Sequence, residues 1–118
     1  MATFQLVLLE EAKKFLQSLP KPAYSKIIYN VDRVARGERN SKIFKKLDNT
    51  DIWEFRTLYN GIAYRLFAFW DTETQTLVVA THGIIKKTQK TPKKEIAMAE
   101  ATMKQYFELK KKYKTWNR

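Results

Sequence analysis

The chain has no cysteine and only one histidine in 118 residues. The absence of cysteine excludes a disulfide framework, a cysteine-ligated zinc site and a thiol nucleophile. A single histidine also argues against a protein metal cage, so we expect no metal and no cofactor. No apolar run is long enough to span a bilayer, and the opening Met-Ala-Thr-Phe is not typical of a signal peptide. We therefore expect a cytoplasmic protein with no membrane partner.

Glycine and proline are scarce as well, at three residues each, and no segment has the composition of a linker. A chain of this length can bury one hydrophobic core without disulfides. Its hydrophobic fraction of 44% is too high for a disordered chain. We predict a single domain, residues 1–118.

Positive charge is in excess and is unevenly distributed. The chain has 23 lysines and arginines against 12 acidic residues, a net charge of +11. The excess lies in residues 1–50 and 86–118, whereas residues 51–85 lean acidic. Such a field attracts polyanions, which predicts a nucleic-acid partner. The alternative is a basic surface that serves only solubility.

The hydrophobic periodicity predicts a β-α-α-β-β-β-α order. A first strand covers 4–8, a helix begins near Glu10, and the Pro20-Lys21-Pro22 segment ends it before a second helix that Gly37 closes. From Asp51 the period changes to two, with strands over 52–59, 62–70 and 76–85, and Thr91-Pro92 then opens a last helix. We predict an α+β domain with an antiparallel sheet of about four strands, an N-terminal helical hairpin and a C-terminal helix.

A tight turn in the middle of the chain predicts a pair of facing arginines. Asn60-Gly61 is typical of a two-residue hairpin loop, which makes the numbers of cross-strand partners sum to 121. Arg56 then faces Arg65, and at ~5 Å their repulsion costs about 1–3 kcal/mol. Two guanidinium groups so placed can bind a phosphate. Glu54 could instead neutralise one of them, and Phe67 and Phe69, on the same face, could carry a base.

Five lysines occur in the nine residues 86–94, immediately before and within the start of the last helix. Cations are disfavoured at a helix N-terminus, so a bound anion would resolve the conflict; a solvated run of charge is the alternative. His82, in the strand before them, has two placements. A four-residue loop after the second hairpin strand puts it opposite Arg65, and a five-residue loop turns it into the core. A lone histidine in a strand is more often a hydrogen-bonded structural residue, which is the alternative to a catalytic role.

Three motifs together resemble the HigB/RelE superfamily, nearest to its HigB-type, phage-derived branch. They are Trp53-Glu54-Phe55-Arg56, then Ala63-Tyr64-Arg65-Leu66-Phe67, then the segment from His82 to Pro92 ahead of the last helix. The resemblance covers residues 4–113. It implies a microbial-RNase-like toxin domain that cleaves mRNA on the ribosome and is inhibited by a cognate antitoxin, commonly a helix-turn-helix repressor. The family's C-terminal catalytic acid or tyrosine has no clear counterpart, although Tyr106 and Tyr113 are present.

The expected chemistry needs neither a metal nor a protein nucleophile, because the RNA 2′-hydroxyl can attack the adjacent phosphate. Arg56, Arg65 and Lys86 are the candidates for stabilising the transition state. Glu54 or His82 is the candidate base, and a lysine could act as the acid. The residues expected to contact the RNA backbone are Lys45, Lys46, Lys87, Lys90, Lys93 and Lys94.

Two other functions remain open from the sequence. The related ParE branch has a similar scaffold, inhibits DNA gyrase and is not an RNase. A non-catalytic nucleic-acid-binding protein would also carry this charge. The facing arginines favour the RNase, because a gyrase inhibitor has no evident use for a phosphate clamp.

Overall fold

The computed structural model describes residues 4–73, 76–87 and 90–116, with side chains as far as Tyr113. Its elements follow in the order β1 (Gln5–Leu8), α1 (Glu10–Gln17), α2 (Lys21–Ala35), β2 (Phe44–Lys46), β3 (Trp53–Tyr59), β4 (Ile62–Asp71), β5 (Leu77–Lys86) and α3 (Lys93–Trp116). The strands form one sheet in the order β1-β5-β4-β3-β2. The α+β class, the N-terminal helical hairpin and the C-terminal helix are confirmed.

The sheet has five strands rather than about four, and it is mixed rather than antiparallel. β1 pairs with β5 in parallel, because the chain crosses the whole fold before it returns beside its first strand. β2 pairs antiparallel with β3. It is only three residues long and carries two lysines, so it shows no apolar alternation from which a strand could be predicted.

The Asn60-Gly61 turn adopts the predicted two-residue form. Both residues have positive φ, 53° and 74°, as a type I′ hairpin requires. The β3–β4 register follows directly, and Arg56 faces Arg65. Gly37 also fits its predicted role after α2, because its φ of 99° belongs to a residue that ends a helix in the left-handed conformation.

Helices pack on both faces of the sheet. On one face α1 and α2 cover a core that includes Phe55, Leu66 and Val78. There Gly83 lets α1 approach β5, because a Cβ at this position would lie 2.2 Å from Cδ2 of Phe15. On the other face α3 covers a second core built around Phe67 and Phe69. α3 leaves the Arg56 and Arg65 region of that face uncovered, since both side chains remain partly exposed.

A β-bulge decides which face His82 occupies. Asp71 pairs with Leu77, so the loop between β4 and β5 has five residues, 72–76, which would turn His82 into the core. The register shifts by one residue at Thr81, and His82 returns to the face of Arg65. It lies opposite Phe67, and neither predicted placement is the observed one.

Among the described residues, none of the helices combines the length and the apolar character that a membrane-spanning helix requires.

Candidate phosphate-binding site

The uncovered end of the second sheet face carries a cluster of cations, which we call the cationic face: Arg56, Arg65, Lys86 and Lys45. Arg56 and Arg65 stand opposite each other on β3 and β4 with side chains 25% and 11% exposed. Lys86 is opposite Ala63, one row beyond Arg65. Lys45 is opposite Glu54, one row to the other side. Rows on one face of a strand are about 7 Å apart, so these charges act on one another strongly.

Glu54 lies between the two arginines and is almost fully buried. Its Oε1 is 3.2 Å from Nε of Arg56 and 3.4 Å from Nε of Arg65. Both Nε atoms are buried and lack a hydrogen bond of good geometry, so these contacts are electrostatic. Glu54 therefore offsets one charge shared between two arginines, and the pair keeps a net positive charge.

The outer ends of the guanidinium groups remain available. Nη1 of Arg56 donates to the carbonyl of Ser41 at 3.3 Å, and Nη1 of Arg65 donates to the carbonyl of Tyr64 at 3.0 Å. Among the described residues, no hydrogen bond engages Nη2 of either arginine. Burial is the main reason that the pKa of Arg65 is lowered, and Arg56 lowers it further against the opposing effect of Glu54. An anion bound at this point would relieve that unfavourable environment.

Lys86 is a cation whose charge the fold disfavours. Burial lowers its pKa below 10.5, and the neighbouring charges of Arg65, Arg56 and Lys45 lower it further, while Glu54 acts in the opposite direction. A lysine with a lowered pKa loses its proton more readily, which suits a proton-transfer group. Lys86 therefore combines a place in the cationic face with the chemistry of an acid or a base.

Thr91 is part of this site, although the sequence suggested only a helix cap. Its hydroxyl donates to Oε2 of Glu54 at 2.9 Å, and α3 begins two residues later, at Lys93. Both carboxylate oxygens of Glu54 are thereby engaged, one by Thr91 and the other by the arginines. No local signal in the sequence could predict this contact, because 37 residues separate the two partners.

His82 lies on the same face, opposite Phe67 and one row from Arg65, where Glu95 of α3 contacts it. Its Nδ1 is 3.0 Å from the hydroxyl of Thr81, and its Nε2 is 3.1 Å from Oε1 of Glu95 on α3. Its ring packs against Phe67 with centroids 4.9 Å apart. These contacts engage both ring nitrogens, which is the arrangement of the hydrogen-bonded structural histidine.

The predicted RNA-contacting lysines do not form one group. Lys45 lies in the cationic face, whereas Lys46 is opposite Trp53 and points to the other face of the sheet. Lys87, Lys90, Lys93 and Lys94 are exposed on the approach to α3 and in its first turn. Thr88 and Gln89, between them, lie outside the described residues.

One other expectation about this face is wrong. Phe67 and Phe69 are fully buried beneath α3, so neither can carry a base. Tyr106 donates its hydroxyl to Asp71 at the far end of β4, about 20 Å along the strand from Arg65. Within the described residues, no group of three or more histidine, cysteine or acidic side chains could hold a metal ion.

Comparisons with known proteins find similarity over most of the chain. A family model described as "Phage derived protein Gp49-like (DUF891)" matches residues 14–104. No curated protein sequence matches the chain significantly. A mutant of the E. coli toxin RelE in the free state has a TM-score of 0.53 at 20% identity, over 70% of this chain and 82% of that one. The intact E. coli RelBE toxin–antitoxin complex has a TM-score of 0.50 at 18% identity, over 74% of this chain and 99% of that one. The RelBE2 toxin–antitoxin complex from Mycobacterium tuberculosis has a TM-score of 0.46 at 21% identity, over 73% of this chain and 94% of that one.

Proposed function

Because the chain belongs to the Gp49-like family of phage-derived proteins and has the RelE fold, we propose that it is the toxin of a toxin–antitoxin pair and that it cleaves mRNA on the ribosome. One solved protein of this fold is named a toxin, and another solved structure is named an intact toxin–antitoxin complex. The observation that carries the proposal is the pair of facing arginines beside Lys86, which retains net positive charge despite Glu54.

The geometry supports a division of labour among these residues. The outer nitrogens of Arg56 and Arg65 bind the non-bridging oxygens of the scissile phosphate and stabilise the charge that develops there. Glu54 is too buried, and too fully engaged, to take a proton from RNA; it orients the arginines instead. His82 is likewise engaged on both ring nitrogens and helps to attach α3.

The reaction itself is an attack by the RNA. The 2′-oxygen bonds to the adjacent phosphorus as the bond to the 5′-oxygen breaks, which leaves a 2′,3′-cyclic phosphate and a 5′-hydroxyl. The 2′-hydroxyl loses its proton to water, and Lys86 donates a proton to the departing 5′-oxygen and regains one from solvent. Its lowered pKa makes that donation easier than it would be from an ordinary lysine. With few acid–base groups of its own, the enzyme depends on the ribosome to hold the strand in line.

The remaining assignments follow from this function. We propose a single toxin domain over residues 1–118, a cytoplasmic site of action, and three partners: the ribosome, mRNA and an antitoxin of the helix-turn-helix class. The exposed lysines around the start of α3 contact RNA backbone, with Lys45 next to the scissile phosphate and Lys46 on the other side of the β2 edge.

Controlled expression in bacteria tests the function. Induction of the protein alone should arrest growth, and primer extension on RNA from these cells should show cuts inside translated regions. Purified protein should cleave mRNA on programmed ribosomes. Intact mRNA with accumulating DNA breaks would replace this proposal with gyrase inhibition. Intact mRNA and normal growth would leave a nucleic-acid-binding protein.

Matched variants test the site. Arg65→Met and Lys86→Met should each reduce single-turnover cleavage by at least about a hundredfold, the usual effect of losing one stabilising donor. Arg36→Met is the control, because Arg36 is exposed directly after α2 and pairs with Asp32 away from the cationic face. Arg65→Met should change the free energy of unfolding by less than about 1 kcal/mol, since Glu54 keeps Arg56 and Thr91 and the repulsion between the arginines disappears. Cleavage by Lys86→Met at the wild-type rate would remove Lys86 from the mechanism.

A further inference from the structure

A cavity of about 540 Å³ lies at the β2 edge of the sheet, on the side of α2. Aromatic rings form one wall, from Phe4, Phe44, Trp53 and Trp70. The end of α2 and the loop over residues 37–41 form the other. This volume lies within the range of sites that hold small organic ligands, about 300–1,000 Å³. Nothing in the proposed cleavage chemistry uses it.

The aromatic wall offers ring faces that the protein does not fully cover. Phe44 and Trp53 stack with centroids 4.7 Å apart and planes 23° from parallel. Trp70 meets Trp53 edge-on at 6.3 Å and Phe4 edge-on at 5.4 Å. Trp53 and Trp70 are only half-buried, so their surfaces remain open to a further ring. A planar group can stack there at little conformational cost.

The cavity is joined to the cationic face through Ser41. Ser41 lines the cavity, and its backbone carbonyl accepts the hydrogen bond from Nη1 of Arg56 at 3.3 Å. The two faces of β2 make a second connection, because Lys45 belongs to the cationic face while Lys46 lies beside Trp53. A strand that is bound at Arg56 and crosses the β2 edge would reach the mouth of the cavity.

The charges around the cavity favour the approach of an anionic RNA strand. Glu38 is the acidic residue in its lining, and Arg33 binds it through two nitrogens. That hydrogen bonding is the main reason that the pKa of Glu38 is lowered, and burial opposes it only in part. Arg39, also in the lining, together with Lys42 and Lys46 nearby, leaves the rim cationic.

We propose that this cavity binds one unpaired base of the RNA strand whose phosphate is held by Arg56 and Arg65. The base stacks on Trp53 and Trp70, and the loop over residues 37–41 closes its other side. Single-stranded RNA is commonly bound by this combination of a basic surface and aromatic rings. The inference rests on the proposed function in taking RNA as the substrate. It adds a second point of attachment that sets where the strand enters the site.

The test uses a short oligoribonucleotide made uncleavable by 2′-O-methyl groups, and it measures binding rather than cleavage. Trp53→Leu should weaken binding about tenfold or more, the effect expected from losing one stacked base. Its salt dependence should stay the same, because no phosphate contact is lost. Trp53→Phe should keep most of the affinity, since a ring remains. Tyr24→Leu is the control, an exposed aromatic on α2 outside the cavity.

An abasic scan of the same oligonucleotide locates the stacked base. Removal of one particular base should weaken binding to the wild-type protein and have little further effect on Trp53→Leu. Equal binding by wild type and Trp53→Leu, or equal losses at every abasic position in both proteins, would overturn the inference. If Trp53→Leu does not fold, the abasic scan is carried out with Trp53→Phe instead. Binding to that variant must still be weakened at one particular abasic position.

Together with the cleavage assay on programmed ribosomes, this binding experiment separates the two proposals. Base-dependent binding without ribosome-dependent cleavage would support the cavity and contradict the RNase. Cleavage that depends on Arg65 with no base-dependent contribution from Trp53 would support the RNase and contradict the cavity. If an apolar peptide binds the wild-type protein but not Trp53→Leu, and RNA binding does not respond to the abasic change, the cavity is a protein-docking site. That result would overturn the inference.

Discussion

Glu54 is the residue on which the arrangement of the cationic face depends. A carboxylate buried between two guanidinium groups is costly to desolvate, and it persists only where its oxygens are engaged. Oε1 faces both arginines and Oε2 accepts from Thr91. We infer that the hydroxyl of Thr91 keeps the carboxylate from turning both oxygens toward one arginine, which would withdraw that arginine from the proposed phosphate.

Thr91→Val should therefore impair the site without removing any charge. The substitution keeps the shape of the side chain and deletes the hydroxyl. We expect the free energy of unfolding to fall by about 1–3 kcal/mol, because a charged group loses a hydrogen bond. Affinity for the uncleavable RNA should fall as well, since Glu54 can then pair with one arginine on both oxygens.

Thr91→Ser is the matched control, because it retains the hydroxyl, and it should restore both stability and RNA affinity. The measurements are thermal unfolding and RNA titration. A loss of stability in Thr91→Val with unchanged RNA affinity would mean that Thr91 supports only the fold.

At the scale of elements, α3 is attached to the sheet at both ends. Near its start, Glu95 meets His82 and the preceding Thr91 meets Glu54. Further along, Tyr106 donates to Oδ2 of Asp71 at 2.6 Å, and Nζ of Lys110 lies 2.5 Å from the same oxygen. Asp71 is almost fully buried. Burial raises its pKa, but the hydrogen bonds from Lys110, Tyr106 and the backbone of Glu73 outweigh this and lower it overall.

The contribution of Tyr106 to the attachment of α3 is lost at alkaline pH. Burial, followed by its hydrogen bond to Asp71, raises the pKa of Tyr106 from 10.0 to about 12. In the unfolded chain the phenol loses its proton first, so its contribution to stability is complete below pH 10 and is lost between pH 10 and 12. Tyr106→Phe should lower the free energy of unfolding at pH 7 by about 1–3 kcal/mol.

The same variant should also lose less stability than the wild type as the pH rises from 10 to 12. Denaturant unfolding at several pH values measures both effects. Tyr24→Phe, on exposed α2 surface, is the control. RNA cleavage by Tyr106→Phe at neutral pH should be retained, because Asp71 lies at the far end of β4. A pH dependence identical to that of the wild type would place the alkaline transition elsewhere.

For the whole molecule, the positive excess behind the net charge of +11 is carried by residues 1–50 and 86–118, on either side of the middle strands in sequence. The middle strands carry Arg56 and Arg65, β2 adds Lys45 beside Glu54, and the exposed lysines at the start of α3 add further positive charge. This arrangement should make encounter with RNA fast and strongly dependent on salt.

Lys93 and Lys94 provide the test at this scale, because both are exposed in the first turn of α3. The double change to alanine should weaken binding to ribosomes and reduce the slope of log affinity against log salt, by about 0.7 for each lost phosphate contact on a single strand. Lys13 and Lys21, exposed on the helices of the opposite face, are the control pair, and their removal should leave the slope nearly unchanged. Equal slopes in all three proteins would make the lysines at the start of α3 a solvated charge run. Co-sedimentation with ribosomes over a salt series measures the slopes.

Some of this site could be predicted residue by residue. The Asn60-Gly61 turn sets the register between β3 and β4, and this register places Arg56 opposite Arg65 only a few residues from the turn. The face of His82 could not be predicted, because the bulge at Thr81 reverses the side that loop length alone would give. β2 was missed because three residues with two lysines carry no strand pattern.

What the sequence by itself determined about this protein is local: the helices and the central strands, the hairpin register, the uneven charge and the motif segments. Each depends on residues close together in the chain, whose turn preferences and periodicity act without the rest of the fold. Only the tertiary structure decided that α3 buries Phe67 and Phe69, that Thr91 holds Glu54, and that an aromatic cavity opens beside Arg56. These features join residues that are distant in sequence, and their geometry depends on how the helices pack against the two faces of the sheet.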